Sequence, residues 1–448
     1  MKKSLIEALE KAPVSKFHYI LLALCSLIYA LAAMNVMIIG VTLPSISAEW
    51  GLDQVTKGVL LSVGYVGMFI GALGFGATAD LIGRRKTLII TVALSGVFTG
   101  LCSTAWDVPT MSILRFLAGV GLGGVLPQPA VYISEYIPAS KRGRFTGLVE
   151  TSWVYGALLS IIFPFLIIPI HGWRAAFLTA FIPLILIPFI AILMPESIRY
   201  LESKGLMEDA VQLLQKHGLV DESFKTHPTS TREETAEKYS FGESLRRLWS
   251  RGFRPRTVIL WLTWAVLVYT YHGIFQWLPT IYVEVTKARE VIGPLYWVLI
   301  VTLLQVPGYY SATFLLDSLG RKPVLAIYLA VAGIGSYMFS MSHGLQAILI
   351  WSGVVSFFNL GAWAALYTYT PELYPTGIRG TGTGSAASVG RLAGVAAPAL
   401  TGYIWSIWGL PMAFVVFAAA HLVNALVVGV WGMETKGRIL EEISTHSS

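Results

Sequence analysis

Gly76-Ala77-Thr78-Ala79-Asp80-Leu81-Ile82-Gly83-Arg84-Arg85-Lys86 decides the fold, because its core returns later as Asp317-Ser318-Leu319-Gly320-Arg321-Lys322, with 317 − 80 = 237. A second pair of stretches stands at the same displacement: Glu135-Tyr136-Ile137-Pro138 with Arg142-Gly143, and Glu372-Leu373-Tyr374-Pro375 with Arg379-Gly380, with 372 − 135 = 237. Two different motifs displaced by one common distance mark an internal duplication. Looser matches agree. Leu43-Pro44 and Leu278-Pro279 lie 235 apart, and Glu196-Ser197 and Glu434-Thr435 lie 238 apart.

Between these motifs the chain is strongly apolar: 55% hydrophobic residues, 13% charged and a mean hydropathy of +0.66 exceed what a soluble core of this size can hide. Crossing a bilayer takes about 20 apolar residues. Twelve such runs are expected, at 18–43, 56–79, 87–105, 109–134, 145–168 and 174–194, then at 257–282, 291–316, 323–342, 345–370, 380–406 and 410–432. The expected fold is therefore an all-α membrane protein of two pseudo-symmetric six-helix bundles, residues 1–195 and 257–448. The polar stretch 196–256 joins them. Within it, Met207 to Gln215 has amphipathic spacing, and Asp221 to Ser240 has the composition of a flexible linker.

Lys and Arg are retained on the cytoplasmic side. With twelve spans the termini and the loops after even-numbered spans share one side, which holds 26 of the 32 Lys and Arg. The opposite loops hold Lys57, Arg174, Lys287 and Arg289, and Arg115 and Arg391 fall within spans. Both termini are expected in the cytoplasm of a multi-pass cell-membrane protein, and the first span follows Met1 to Pro13 without a signal-peptide pattern. The pI near 9.2 is then a topology signal, and no nucleic-acid partner is expected. Partners reduce to the bilayer and a small organic solute, with no obligate protein partner evident. Cys25 and Cys102 sit in spans without metal or redox spacing. Gly119 to Gly124 lies in a span and lacks a preceding soluble strand, so close helix approach explains it better than a dinucleotide, as it does Gly64, Gly67, Gly71 and Gly74. No phosphate loop, metal set or nucleophile-base pair supports a pump or an enzyme. No cofactor is expected beyond a co-transported proton.

At Gly76 to Lys86 the chain resembles the major facilitator superfamily. Arg115 to Gly124, Pro195-Glu196-Ser197-Ile198-Arg199-Tyr200-Leu201 and Glu372 to Pro375 resemble its sugar-porter and organic-ion branch. Phe17-His18, Glu150-Thr151-Ser152-Trp153 and Gly273 to Pro279 are closer to bacterial nicotinate-type and aromatic-acid transporters. The resemblance implies a V-shaped pair of bundles with one substrate site, opened to each side in turn. It also implies a cytoplasmic gate of Asp80, Arg84, Arg85, Arg115, Glu135, Arg142, Glu196, Asp317, Arg321, Glu372 and Arg379. In the first span such relatives often carry Asp where this chain has Asn35, which cannot titrate.

Ionisable groups retained in hydrocarbon usually face a partner or a wet cavity. Arg391 is the leading substrate residue, because a guanidinium can hold a carboxylate bidentately. A structural pair with an interior acid such as Glu150 is the alternative. Glu150 and His272 are the candidate proton carriers. Asn35, Tyr65, Gln128, Trp153, Tyr271, His272, Gln276, Trp277, Gln305, Asn359 and Trp363 complete the expected site, the aromatics among them offering stacking faces to a flat ring or simply packing. The function expected is secondary transport of an organic anion, an aromatic or cyclic monocarboxylate such as nicotinate, coupled to protons. A sugar or organic-cation carrier, working as uniporter or exchanger, and a non-transporting sensor on the same scaffold are the rivals.

Overall fold

The computed structural model describes residue 9 and residues 13–220, 241–288 and 292–436; the linker expected at Asp221 to Ser240 and part of the C-terminal tail lie outside them. Among the described residues all regular structure is helical. In hydrocarbon every backbone amide must be satisfied within the segment, which leaves the helix as the form for these apolar runs. The helices are α1 (Lys16–Trp50), α2 (Gln54–Ile82), α3 (Arg84–Leu101), α4 (Val108–Val125), α5 (Gln128–Tyr136) and α6 (Ala139–Phe177), then a 3₁₀ stretch (Leu178–Ile185) and α7 (Leu186–Leu193). Short α8 (Ile198–Ser203), α9 (Met207–Lys216) and α10 (Phe241–Leu248) follow. The rest are α11 (Arg254–Phe275), α12 (Leu278–Thr286), α13 (Ile292–Leu303), α14 (Gln305–Leu319), α15 (Arg321–Ser340), α16 (Leu345–Glu372) and α17 (Thr376–Trp431).

Ten continuous stretches among the described residues are long and apolar enough to cross a bilayer. Two of them, Lys141–Leu193 and Gly377–Trp431, are each twice the needed length and fold back at a glycine of positive φ, Gly172 (76°) and Gly409 (81°). The ten therefore count as the twelve spans expected. Spans 4, 7 and 8 are each interrupted, before Gln128, after Phe275 and before Gln305. Pro129, Pro279 and Pro307 lie just past these interruptions, and each removes the amide that would bond the carbonyl four residues back.

Two compact units emerge. The first holds the described residues up to Met37, Val66–Ser160 and the described residues from Arg174 to 220. The second holds Ile38–Tyr65, Ile161–Trp173 and the described residues from 241 onward. In the first unit, spans 2 and 4 meet backbone to backbone: a β-carbon on Gly71 would stand 2.0 Å from the Val120 carbonyl oxygen, and one on Gly123 equally close to that of Met68. Gly74, by contrast, has open space where a β-carbon would go.

In the second unit the outer ends of spans 1 and 2 pack on spans 7 and 11. The Ala399 amide donates to Ser62 Oγ at 3.0 Å, and Gln54 Nε2 donates to Glu284 Oε2 at 3.3 Å. Span 2 is started by Asp53, whose carboxylate takes the Thr56 amide at 2.7 Å; hydrogen bonds from Thr56 hold that carboxyl below its ordinary range.

Gly71→Ala is expected to destabilise the protein by about 1–3 kcal/mol through overpacking against rigid backbone, whereas Gly74→Ala leaves stability unchanged or slightly raised. Melting temperatures of the detergent-purified variants check this contrast.

Candidate functional site

The loop motifs build two matching clasps, one in each unit. A helix begins with amides that have no partner of their own, and a carboxylate there gains both hydrogen bonds and the helix dipole. Glu196 fills that role for α3: its Oε1 accepts the amides of Arg84 (2.8 Å), Arg85 (3.1 Å) and Ser197 (3.0 Å). Gly83 has a φ of 100°, and a β-carbon there would lie 2.6 Å from Glu196 Oε2. Arg84 Nε pairs with the buried Glu135 carboxylate at 2.8 Å, and Ser197 Oγ donates to the other Glu135 oxygen at 2.5 Å.

The second unit repeats each contact. Glu434 accepts the amides of Arg321 (3.0 Å), Lys322 (3.1 Å) and Thr435 (2.8 Å), under Gly320 with a φ of 102°. Arg321 Nε donates to Glu372 at 3.1 Å, and Thr435 Oγ1 donates to the same carboxylate at 2.5 Å. Arg142 and Arg379 play equivalent parts, donating to the carbonyls of Ile137 (3.5 Å) and Tyr374 (3.2 Å).

Three of the expected gate residues sit differently. The acid over the glycine turn is Glu196 or Glu434 and not the Asp of the motif: Asp80 is exposed, and the exposed Asp317 reaches Arg321 only at 3.5 Å. Arg115 lies 135 − 115 = 20 residues before Glu135 on the same span, about 30 Å along it. Its Nη1 donates to the Asn35 carbonyl at 3.1 Å, which places it in the interior of the first unit and not in the clasp.

The interior residues fall into clusters. In the first unit Tyr29 donates its hydroxyl to half-buried Glu150 at 2.5 Å, and the Tyr29 ring lies 6.1 Å from that of Trp153. Asn35 is buried, with its amide 3.5 Å from the Ala180 carbonyl. Gln128 donates to the Gly124 carbonyl at 3.0 Å across the break in span 4.

In the second unit three candidates come together. Gln276 Nε2 donates to the Tyr65 hydroxyl at 2.8 Å, and that hydroxyl stands 2.7 Å from His272 Nδ1. Tyr271 packs edge-on to His272 and against Phe275. Arg391, half-buried on α17, is one turn before Gly394, whose β-carbon position is 3.7 Å from the Tyr65 ring and 3.8 Å from that of His272. On the same helix face as Gly394, the β-carbon position of Gly390 is 3.3 Å from the Trp264 ring. Trp264, Trp363 and Tyr367 form a mutual cluster with ring centroids 5.4–5.5 Å apart, and Trp264 Nε1 donates to Thr370 Oγ1 at 3.0 Å.

The remaining candidates serve elsewhere. Trp277 is fully buried against Trp405 and donates to the Pro398 carbonyl at 3.2 Å, so its face is spent on packing. Gln305 is buried at the break in span 8. Asn359 Nδ2 donates to Thr270 Oγ1 at 3.2 Å and lies 3.1 Å from His421 Nε2. Trp264, Tyr367 and His421 are absent from the sequence-based list. Only the four-residue spacing of Trp363 and Tyr367 on one helix face could have signalled the aromatic cluster.

The family profile described as sugar (and other) transporter matches residues 20–446. Over 445 residues the chain is 37% identical to the niacin transporter NiaP of Acinetobacter baylyi, covering 98% of this chain and 99% of that protein. Over 431 residues it is 28% identical to the gallate transporter of Pseudomonas putida, covering 94% and 93%. The inward-open structure of the xylose transporter XylE from E. coli matches with a TM-score of 0.73 at 18% identity, covering 96% of this chain and 100% of that one, a likeness of fold alone.

Tyr65→Phe removes the acceptor of Gln276 and the partner of His272 together. A loss of about 1–3 kcal/mol is expected for buried groups left unsatisfied, read as a lower melting temperature of the purified protein.

Proposed function

From the premise that the chain belongs to the sugar (and other) transporter family, within the major facilitator superfamily, we propose that it carries an aromatic monocarboxylate of the nicotinate type across the cell membrane by alternating access. The observation that carries the reading is the place of Arg391 on α17 next to Gly390, which meets the Trp264 ring of the Trp264, Trp363 and Tyr367 cluster, and one turn before Gly394, which meets the Tyr65 and His272 rings beside Gln276. A guanidinium in a poorly solvated place binds a carboxylate through two parallel hydrogen bonds. The indole and phenol faces take a flat ring, and the hydroxyl, imidazole and amide supply polar groups for a heteroatom on it.

The names of two relatives support the same chemistry, since niacin and gallate are both flat rings bearing one carboxylate. A cationic substrate would meet the charge of Arg391 at a cost. A sugar would make no use of that charge.

Proton coupling is part of the proposal. With Asn35 at the position where relatives carry Asp, Glu150 is the acid left to take a proton, and Tyr29 is the donor that steadies its charged form. Protonation would release that bond and let the two access states interconvert with substrate bound; coupling needs only that the proton and substrate favour the same exchange. The distribution of Lys and Arg supports a cytoplasmic position for both termini.

Proteoliposomes should accumulate labelled nicotinate, faster with an inward proton gradient. Arg391→Ala should lower uptake at least a hundredfold at unchanged melting temperature; saturable nicotinate binding without any uptake would overturn the transport reading. Glu150→Gln should lose the response to the proton gradient while retaining nicotinate exchange, and an intact response would remove Glu150 from coupling.

A further inference from the structure

Residues 241–256, immediately before span 7, carry five arginines (Arg246, Arg247, Arg251, Arg254, Arg256) and one acid, Glu243. In the clasps the arginines are neutralised by buried or half-buried carboxylates, as Arg84 is by Glu135 and Arg321 by Glu372. Arg246, Arg251 and Arg254 are exposed and make no ion pair among the described residues. Retention of cations on one side of a membrane explains their sign. It does not explain why they stand apart from the acids of the described residues.

The shape of α10 does. Ser244 and Leu248, four apart, are buried and face the protein. The next flank around the helix, at 100° per residue, carries Leu245 and then Trp249 at the helix end, 36% and 43% exposed. Beyond them on the same side comes Arg246. Glu243 and Arg247 fall on the opposite flank, at the i, i+4 spacing that joins opposite charges. Trp249 is fixed edge-on against Trp261 of α11 at 5.3 Å, so its exposed face is held where a membrane span begins. Arg256 is already used, donating to the Leu373 carbonyl at 3.4 Å with its guanidinium over the Phe253 ring.

We propose that α10 and the turn after it form an interfacial binding site for anionic phospholipid headgroups, with Leu245 and Trp249 sunk at the edge of the acyl region and Arg246, Arg251 and Arg254 on the phosphates. An apolar flank edged by cations beside the start of a span is the geometry of a helix lying in the interface plane. Zwitterionic headgroups carry their own ammonium and would gain little from three arginines that no acid among the described residues opposes. Anionic ones complement them.

Native mass spectrometry of the full-length protein in detergent, titrated with cardiolipin or with phosphatidylcholine, tests the assignment. Each juxtamembrane cation contributes roughly a fivefold gain in binding, so Arg246→Gln, Arg251→Gln and Arg254→Gln together should weaken the tightest cardiolipin site about a hundredfold. The three Arg→Lys replacements should keep it. Lys141→Gln, Lys204→Gln and Lys216→Gln, which remove equal charge elsewhere, should leave it unchanged. Should the glutamine variant not fold, Leu245→Ser with Trp249→Ser should weaken the site about tenfold with the charges intact. Equal affinity for phosphatidylcholine, an undiminished cardiolipin site in the variants, or an equal loss from the lysine replacements would overturn the proposal.

Discussion

A carboxylate seated on the unpaired amides at the start of a membrane-spanning helix is the interaction on which the rest of this structure depends. Glu196 on α3 and Glu434 on α15 each tie together elements far apart in the chain: the turn after an even-numbered span, the start of the next span and the exit of the sixth span of their half. The glycine at each turn is required because its positive φ and missing side chain let the carboxylate approach. The second acid, Glu135 or Glu372, then has a fixed guanidinium to meet. Removing the capping carboxylate would loosen the helix start that holds the guanidinium against Glu135 or Glu372, so the parts of each clasp act together.

Much of this was legible in the sequence. The twelve spans followed from run length, and the common displacement located both clasps. The identity of the capping acid did not follow, because the motif places Asp80 and Asp317 beside the turn while the acids that reach the amides stand 196 − 83 = 113 and 434 − 320 = 114 residues further on. Their own near-repeat was visible, yet a repeat says which residues are equivalent and not which ones touch. Arg115 was assigned to the gate by its motif, and the depth of its side chain in the first unit depends on the Asn35 carbonyl of another span. Aromatic residues were harder still. Trp277 and Trp363 look alike in the sequence, and packing alone makes one a buried strut and the other part of an aromatic cluster beside Arg391.

Broken helices connect the fold to the site. A proline in hydrocarbon strands a carbonyl, and amide side chains gather at such places because they can serve both donors and acceptors. Gln128, Gln276 and Gln305 stand at the interruptions of spans 4, 7 and 8. At the break in span 7 the glutamine serves more than the backbone: it completes the group with Tyr65 and His272, one turn of α17 from Arg391. A helix that must be interrupted to pack thus presents polar groups at a depth where a continuous helix would present none.

The 3₁₀ stretch of span 6 has a mechanical consequence. Gly172 and Gly409, Gly83 and Gly320, and Glu135 and Glu372 all keep the displacement of 237, but Glu196 and Glu434 are 238 apart, so span 12 contains one residue more than span 6 between the hairpin glycine and the clasp. A 3₁₀ helix rises about 2.0 Å per residue against about 1.5 Å for an α-helix. Leu178–Ile185 therefore gains about 4 Å over its eight residues, enough to reach the clasp with a shorter chain. The first half meets the matching end point with a longer rise per residue where the second half stays α-helical. Two copies of one gene segment have become struts of unequal residue count fastened to matching anchors.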